Sequence, residues 1–335
     1  MGVIAMLHYR KHPSHVKKAY SFAAVAKMEG IDFYYFSYSK VDFNAKKIDG
    51  WVYHNGKWVQ KRMDFPKVII NASNPKTIEQ KRISKRLKKI AIFTSHSVGN
   101  KMKVYEKILK GEEFADYLIP SIAVRKGEEV LDFFEKHTVA VIKPTSGNHG
   151  KKIIFIKKIN TNFQVIEGVK KTLFEKSGLL TYIERLLKKQ SYILQPFIEC
   201  KTKAGLTYDF RLHILKNGTG KWEVTLIYPR VSGNAKLISN ISSGGYRGEF
   251  GPFLKEEFGD RSNHVRQLLE GFAVSFATHF DTLYPNPFDE LGIDVGLDQN
   301  LKIWIFEVNW RPGSKHREIE VARRLIPYCR YLASR

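Results

Sequence analysis

Residues 291–309 read LGIDVGLDQNLKIWIFEVN, and this stretch predicts two antiparallel strands, at 291–297 and 301–309. The intervening Asp-Gln-Asn has the composition of turns that connect hairpin strands. With Gln299 and Asn300 at the tip of the turn, Asp294 is predicted to pair with Ile305.

Three oxygen-bearing side chains are expected on one face of this hairpin. Because strand side chains alternate between faces, Glu307 and Asn309 share the face of Asp294, and the two carboxylates become diagonal neighbours about 7–8 Å apart. The opposite face is predicted to be core, and it carries Ile293, Val295, Leu297, Trp304, Phe306 and Val308.

Two carboxylates and an amide in an otherwise apolar hairpin are costly unless a positive charge joins them. Oxygen ligands suit Mg²⁺, which completes its shell with water and substrate phosphates. The hairpin therefore predicts a nucleotide-dependent enzyme. An acidic hairpin end exposed to water is the alternative.

The composition sets the broad class of the protein. A chain of 335 residues, 43% of them hydrophobic, predicts two or three domains. No apolar run approaches the roughly 18 residues of a membrane span, and the start lacks the pattern of a secretory signal. Met6 does not match the myristoylation pattern. Only Cys200 and Cys329 occur, which rules out a disulfide framework and favours the cytoplasm.

The net charge of +23 could favour binding to nucleic acid, to a membrane surface or to an acidic substrate. Its densest run, KTIEQKRISKRLKK at 76–89, predicts a helix whose cations form a solvated face. No nucleic-acid-binding signature accompanies this run, so nucleic-acid binding is the weakest of the functional hypotheses.

The chain divides into three predicted domains, at 1–90, 91–190 and 191–335. The first has an α/β pattern, the second is mixed and the third is rich in strands. Strands are predicted at 2–7, 32–38, 67–70, 139–143, 152–156, 192–198, 207–215 and 221–228, with a hairpin at 51–60. Helices are predicted at 14–29, 76–89, 100–110, 130–136, 261–279 and 315–325.

A glycine-rich turn follows an apolar strand in AVIKPTSGNHGKKIIFI, residues 140–156. Lys143 ends the strand, and the small residues of 145–150 would let backbone N–H groups approach a phosphate. Walker A is excluded, since Thr145 replaces its first glycine and Lys152 its Ser or Thr. An ordinary β-turn is the alternative, and His149 is expected to be exposed.

The order of a lysine before a helix, a lysine strand with a glycine hairpin, an apolar strand and an Asp…Glu-x-Asn hairpin resembles the ATP-grasp fold. The closing EVNWRPG at 307–313 is similar to that fold's Glu-x-Asn motif. Further segments resemble the endospore coat-associated YheC/YheD-like ATP-grasp group: YDFR at 208–211, PRV at 229–231, SNISSGG at 239–245, ELGID at 290–294 and WIFEVN at 304–309. The resemblance implies an α/β protein, with α+β ATP-grasp lobes behind an N-terminal α/β pre-ATP-grasp domain.

The same resemblance implies roles for individual residues. Asp294, Glu307 and Asn309 would hold Mg²⁺, or Mn²⁺ in its place. Residues implied to bind ATP are Lys101 (with Lys103 as the alternative), Lys143, Thr145, Ser146, Gly147, Gly150, Gln195, Phe197, Ile198 and Asp209. Residues implied to face the transferred phosphate and the acyl substrate are Arg211, Arg230 and Asn240.

The function that follows is an ATP- and Mg²⁺-dependent carboxylate–amine ligase that works through an acyl phosphate. Its substrate would be an amino acid or peptide, and the basic surplus favours an acidic one. The alternative is a nucleotide-binding structural protein of the spore or envelope with little turnover. The expected location is the cytoplasm, to which the resemblance adds the spore.

Overall fold

Three β-sheets, each accompanied by helices, make up the computed structural model, which describes residues 3–145, 153–232 and 245–335. The expected α/β class is confirmed. Within the described residues, no helix combines the length and apolar character needed to cross a membrane.

The first sheet has seven strands, in the order β3-β4-β2-β1-β6-β7 with β5 paired to β4. Its central strand β1 is parallel to both β2 and β6. These strands are β1 Ile4–His8, β2 Phe33–Ser37, β3 Val41–Asp42, β4 Lys47–His54, β5 Lys57–Asp64, β6 Val68–Asn71 and β7 Ile92–Phe93. The helices here are α1 Lys17–Met28 and α2 Ile78–Leu87. The hairpin predicted at 51–60 is formed by β4 and β5, and both residues of its Asn55-Gly56 turn have positive φ.

The middle sheet has six strands, in the order β12-β11-β10-β9-β13-β8. They are β8 Ile122–Val124, β9 Val139–Pro144, β10 Ile154–Ile159, β11 Asn162–Glu167, β12 Lys170–Phe174 and β13 Tyr192–Pro196. The helices of this part are α3 Lys101–Lys110, α4 Glu128–Phe133 and α5 Lys176–Leu187. Because β13 pairs with β9, the apolar strand that carries Gln195 lies beside the strand that carries Lys143.

The third sheet has five strands, in the order β16-β15-β14-β17-β18. They are β14 Tyr208–Lys216, β15 Trp222–Val231, β16 Tyr246–Arg247, β17 Glu290–Leu297 and β18 Ile303–Asn309. The remaining helices are α6 Phe250–Phe258, α7 Ser262–Thr282 and α8 Glu318–Ala333. Helix α7 covers this sheet with a row of stacked rings from Phe272, Phe276 and Phe280.

The last helix returns to the first domain. Val321, Leu325 and Ile326 of α8 are buried in the same core as Phe22 of α1. This long-range packing extends α8 well beyond the predicted end at residue 325. The division into 1–90, 91–190 and 191–335 stays a prediction.

The predicted register of the acidic hairpin is wrong. Leu301 adopts a left-handed φ of 61°, so the loop has three residues, and Val295 rather than Asp294 lies opposite Ile305. A bulge then leaves Phe306 unpaired and brings Asp294 directly opposite Glu307.

The bulge also changes the predicted core face. Ile303, Ile305 and Val308 are buried, whereas Trp304 and Phe306 are only partly buried. Alternation with period 2 cannot anticipate an inserted residue, which is why these two side chains were misplaced.

Candidate active site

Two adjoining cavities of about 260 and 150 Å³ lie between the middle and third sheets. Both are lined by Lys101, Lys143, Gln195 and Glu307, which come from α3, β9, β13 and β18. Four sequence-predicted residues from four elements therefore meet in one cleft.

The acidic edge of the cleft belongs to β17 and β18. Asp294 lies opposite Glu307, and Asn309 lies opposite Gly292. Gly292 is required here because a Cβ atom would lie 2.5 Å from Cβ of Pro312. The turn into Pro312 can therefore pack directly on β17, beside the acidic residues.

Two arginines from β14 and β15 contact the acids of the cleft. Nε and Nη2 of Arg211 both donate to the Asp294 carboxylate. Arg230 donates from Nε to Oδ1 of Asp209 at 2.6 Å and from Nη2 to Oδ2 at 2.8 Å. Its Nη2 also lies 3.1 Å from Oδ2 of Asp294. Paired guanidinium forks of this kind fix the positions of both partners.

The protonation of this buried network follows from its pairing. Burial alone would raise the pKa of Asp294, but Arg211 and Arg230 hold it below its usual value. Burial alone would lower the pKa of each guanidinium, and the neighbouring carboxylates raise both instead. All three groups are therefore charged at neutral pH.

Lys101 enters the cleft from the first turn of α3. Asn100 caps this helix by accepting a hydrogen bond from the backbone N–H of Lys103 at 2.9 Å. Nζ of Lys101 lies 3.5 Å from Oε1 of Glu307. Lys101 lines both cavities, and Lys103 is not among their lining residues, which favours Lys101 of the two alternatives.

Lys143 is a buried lysine of the cleft, with only 8% of its surface exposed. Burial above all, and then the charge of Lys101, lower its pKa to about 7, while Glu307 opposes both effects. An anionic ligand would stabilise the protonated form of this lysine, because a nearby negative charge favours the ammonium group.

The smaller of the two cavities, called the inner cavity below, has a wall of aromatic and apolar side chains. The ring of Phe197 meets that of Phe155 edge-on, with centroids 5.9 Å apart, and Ile198 lines the same wall. Gln195 is buried and donates from Nε2 to Oγ of Ser121.

Sequence reasoning missed several residues that line the inner cavity: Ile119, Val141, Ile153, Phe155, Cys200 and Phe306. They carry no signal in the sequence, because each reads as an ordinary apolar residue of a strand or connection. Only the pairing of the strands brings them to the cavity.

Some predicted site residues lie outside the described residues. These are Ser146, Gly147 and Gly150 of the glycine-rich turn, and Asn240. Thr145, which precedes them, lines the larger cavity, and its backbone N–H donates to O of Ser191 at 3.1 Å.

The acidic edge fits a divalent cation by its chemistry. Within residues 3–145, 153–232 and 245–335, no group of three or more His, Cys, Asp or Glu side chains is arranged to hold a metal. The set here is instead two carboxylates and one amide, from Asp294, Glu307 and Asn309. Lys101, Arg211 and Arg230 contact the two carboxylates, so a bound Mg²⁺ would share these oxygens with them or replace them. An oxygen-only set of this size suits Mg²⁺.

The family model for YheC/D-like ATP-grasp domains matches residues 89–332. The endospore coat-associated protein YheD of Bacillus subtilis (strain 168) is 24% identical over 323 residues, which cover 90% of this chain and 70% of YheD. The endospore coat-associated protein YheC of the same organism is 25% identical over 301 residues, which cover 85% of this chain and 82% of YheC.

Among solved structures, the ATP-grasp ligase PsnB, in complex with a phosphomimetic variant of a minimal precursor, Mg and ADP, has a similar fold. Its TM-score is 0.54 at 12% identity, with 100% of this chain and 98% of PsnB covered. The likeness shows a shared fold. Since the family model spans most of the sequence, including every element of the cleft, the chain belongs to the YheC/D-like ATP-grasp family.

Proposed function

We propose that this protein is an ATP- and Mg²⁺-dependent ligase that joins a carboxylate to an amine through an acyl phosphate. The observation that carries the proposal is one cleft in which Lys101, Lys143 and Arg230 lie with Asp294 and Glu307. Arg211 pairs with Asp294 from the neighbouring strand without lining the cavities. The ligase PsnB, whose fold is similar, is described with Mg and ADP, which agrees with the proposed nucleotide and metal.

The substrate carboxylate is a poor electrophile, so the reaction must first activate it. A carboxylate oxygen of the substrate attacks the γ-phosphorus of ATP, the bond to the bridging oxygen breaks, and ADP leaves. The amine nitrogen then attacks the acyl carbon, inorganic phosphate leaves, and the nitrogen loses a proton. No covalent enzyme intermediate is required.

The side chains of the cleft neutralise and orient the reactants. Gln195, Phe197 and Ile198 would hold the base, Asp209 would lie near the ribose or a metal, and Lys101 and Lys143 would contact the phosphates. Positioned cations in a dry cleft contribute strongly to phosphoryl transfer.

Asp294, Glu307 and Asn309 would hold Mg²⁺, which neutralises the triphosphate when bound. Arg211 and Arg230 would face the transferred phosphoryl group and the acyl substrate. We include the glycine-rich turn at 145–150 and Asn240 in the proposed site on the family resemblance.

A second function is favoured by the names of the two relatives, both of which are endospore coat-associated proteins. In that case the chain would bind nucleotide as a structural protein, with little turnover. The fold serves both functions equally well, and only turnover separates them.

The test has two stages. A thermal-shift assay with ATP and Mg²⁺ measures nucleotide binding, and a screen for ADP release over amino acids and peptides measures turnover. We expect a shift in the first assay and substrate-dependent ADP release in the second, which Glu307→Ala and Asp294→Asn abolish. Glu256→Ala, an exposed substitution on α6, is the control.

Undiminished ADP release in both cleft variants would reject the metal site. A thermal shift without ADP release for any substrate would favour the structural alternative.

A further inference from the structure

One edge of the first sheet has the topology of a ligand site. Because β1 is parallel to β2 and β6, the strands end at the same edge, at His8, Ser37 and Asn71. The chain proceeds from β1 to β2 on one side, and β6 lies on the other. In open α/β sheets, ligands bind outside the carboxyl ends of the strands at such a reversal.

Three cations from separate segments converge on this edge. Arg10 follows β1, Lys76 precedes α2 and Arg311 follows β18. Burial, and then the charges of Arg10, Arg311 and Lys76, lower the pKa of His8 to about 4. The imidazole is therefore neutral at pH 7, and the three nearby cations add to the effect of burial.

These cations lack carboxylate partners. Among the ion pairs of the described residues, none involves Arg10, Lys76 or Arg311, although the chain forms such pairs widely elsewhere. Nη1 of Arg311 donates to O of Asn71 at 3.1 Å, and Nη2 donates to the side-chain oxygen of Asn74. Both acceptors are neutral, so neither hydrogen bond pairs the guanidinium with an opposite charge.

The two buried carboxylates whose charges act on Arg311, Glu290 and Asp289, are engaged elsewhere. Oε1 of Glu290 accepts a hydrogen bond from Nε2 of His213 at 2.8 Å, and Nζ of Lys18 lies 3.8 Å from its other oxygen. Asp289 accepts from the backbone N–H and the hydroxyl of Ser95. An anion from outside the chain would complete the pairing.

An aromatic side chain lies among the cations. The ring of Tyr9 stacks on His8 with centroids 4.6 Å apart. Nζ of Lys76 lies 5.3 Å from its centroid, and the guanidinium carbon of Arg10 lies 5.9 Å away. Tyr9 thus fixes the approximate positions of two cations that would otherwise be mobile on the surface.

This edge is continuous with the active site. Arg311 lies two residues beyond Asn309, and its hydrogen bonds tie the end of β18 to the end of β6. A ligand that contacts Arg311 therefore lies next to the acidic edge of the cleft.

We propose that His8, Arg10, Lys76 and Arg311 form a binding site for a carboxylate group of the substrate, which makes that substrate an acidic amino acid or an acidic peptide. The inference rests on the proposed ligase function, whose substrate it narrows. Arginine forks match carboxylates, and the neutral imidazole can donate a further hydrogen bond.

The test compares two peptides that differ only in charge. Tri-L-glutamate and tri-L-glutamine are titrated by calorimetry into the full chain saturated with ADP and Mg²⁺. We expect tri-L-glutamate to bind at least tenfold more tightly, and both Lys76→Gln and Arg311→Gln to weaken it by roughly tenfold, the scale of a charged hydrogen bond.

A matched control separates the site from general attraction to a basic protein. Lys85→Gln removes the same charge from an exposed position on α2 and should leave the affinity for tri-L-glutamate unchanged. Since Lys76 is exposed, its variant is expected to fold, and the thermal shift with ADP and Mg²⁺ checks this for each protein.

Equal binding of the two peptides, no binding of tri-L-glutamate, or equal loss in Lys76→Gln and Lys85→Gln would overturn the carboxylate site. Calorimetry needs no turnover, so failure of the ligase proposal is a separate outcome. Selective peptide binding without ADP release would retain the site and reject the ligase.

Discussion

Asp294 and Glu307 lie directly opposite each other on neighbouring antiparallel strands, yet their surroundings differ sharply. The side chain of Asp294 is 6% exposed and is held by two arginines, whereas that of Glu307 is 29% exposed and faces Lys101. One carboxylate is thus part of a buried charge network, and the other stays accessible to ligands.

We expect Asp294→Asn and Glu307→Gln to separate stability from activity. The first leaves two buried guanidinium groups short of a partner and should lower the free energy of unfolding by about 3–5 kcal/mol. The second breaks a partly exposed pair and should cost less than about 1 kcal/mol. Both should abolish substrate-dependent ADP release. Urea unfolding and the ADP assay measure the two effects.

Equal stability losses in these two variants would contradict the different burial of the two carboxylates. Normal ADP release by a folded Glu307→Gln protein would remove Glu307 from the metal site.

Lys143 should make nucleotide binding depend on pH. Its pKa is lowered from 10.5 to about 7 by burial and by Lys101, so it is largely neutral at pH 8 in the folded chain. Bound phosphates favour the charged form, and ATP binding at pH 8 should therefore take up a proton. The affinity should fall above pH 7, by at most about tenfold per pH unit.

Calorimetry at pH 8 in buffers of different ionisation enthalpy measures this uptake, and Lys143→Met should lack it. The same number of protons in both proteins would exclude Lys143 as the titrating group. In the absence of nucleotide, the unfolded chain binds more protons between pH 7 and 10.5, so the contribution of Lys143 to stability should rise across that range.

The close packing of the hairpin on the cavity wall predicts a cost at Gly296. A Cβ atom there would lie 2.4 Å from Cζ of Phe306 and 2.5 Å from Sγ of Cys200. Gly296→Ala should therefore lower the free energy of unfolding by about 1–3 kcal/mol. Gly271→Ala is the matched control, because an added Cβ meets nothing within 4 Å on helix α7.

At this exposed helix position, alanine should stabilise the protein by about 0.5–1 kcal/mol. Chemical denaturation of both variants measures the difference. A neutral effect of Gly296→Ala would show that the strand can move away from the wall.

Both cysteines should be unreactive in the folded protein. Cys200 and Cys329 are free and buried. Burial raises the pKa of Cys200 to about 12 and raises that of Cys329 well above its usual value. Because the thiolate is the reactive form, we expect no labelling by an aromatic disulfide reagent until the chain is unfolded. Rapid labelling of one thiol in buffer would contradict this burial.

Local signals predicted much of the fold. The Asn-Gly dipeptide marks the turn between β4 and β5, Asn100 caps α3, and the apolar runs mark β1 and β9. Each of these features depends on residues that are neighbours in the chain, so the local sequence is enough to predict it. The family resemblance, which rests on motifs such as EVNWRPG, is confirmed by the family model over residues 89–332.

Distant contacts could not be predicted in this way. The three-residue loop and the bulge at Phe306 changed the partner of Asp294 from Ile305 to Glu307. The contacts of Arg211 and Arg230 with Asp294 depend on the order of β14, β15 and β17 in the sheet.

The sequence by itself determined the kinds of side chain available for a phosphate and a divalent cation, and the strands and helices that carry them. Only the tertiary structure decided that Asp294 is the acid buried between arginines and that Lys143 is the lysine removed from solvent. It also decided that Arg311 forms a hydrogen bond with Asn71 of the first sheet. The physical reason is that desolvation and charge pairing act across space, between segments that may be hundreds of residues apart in the chain.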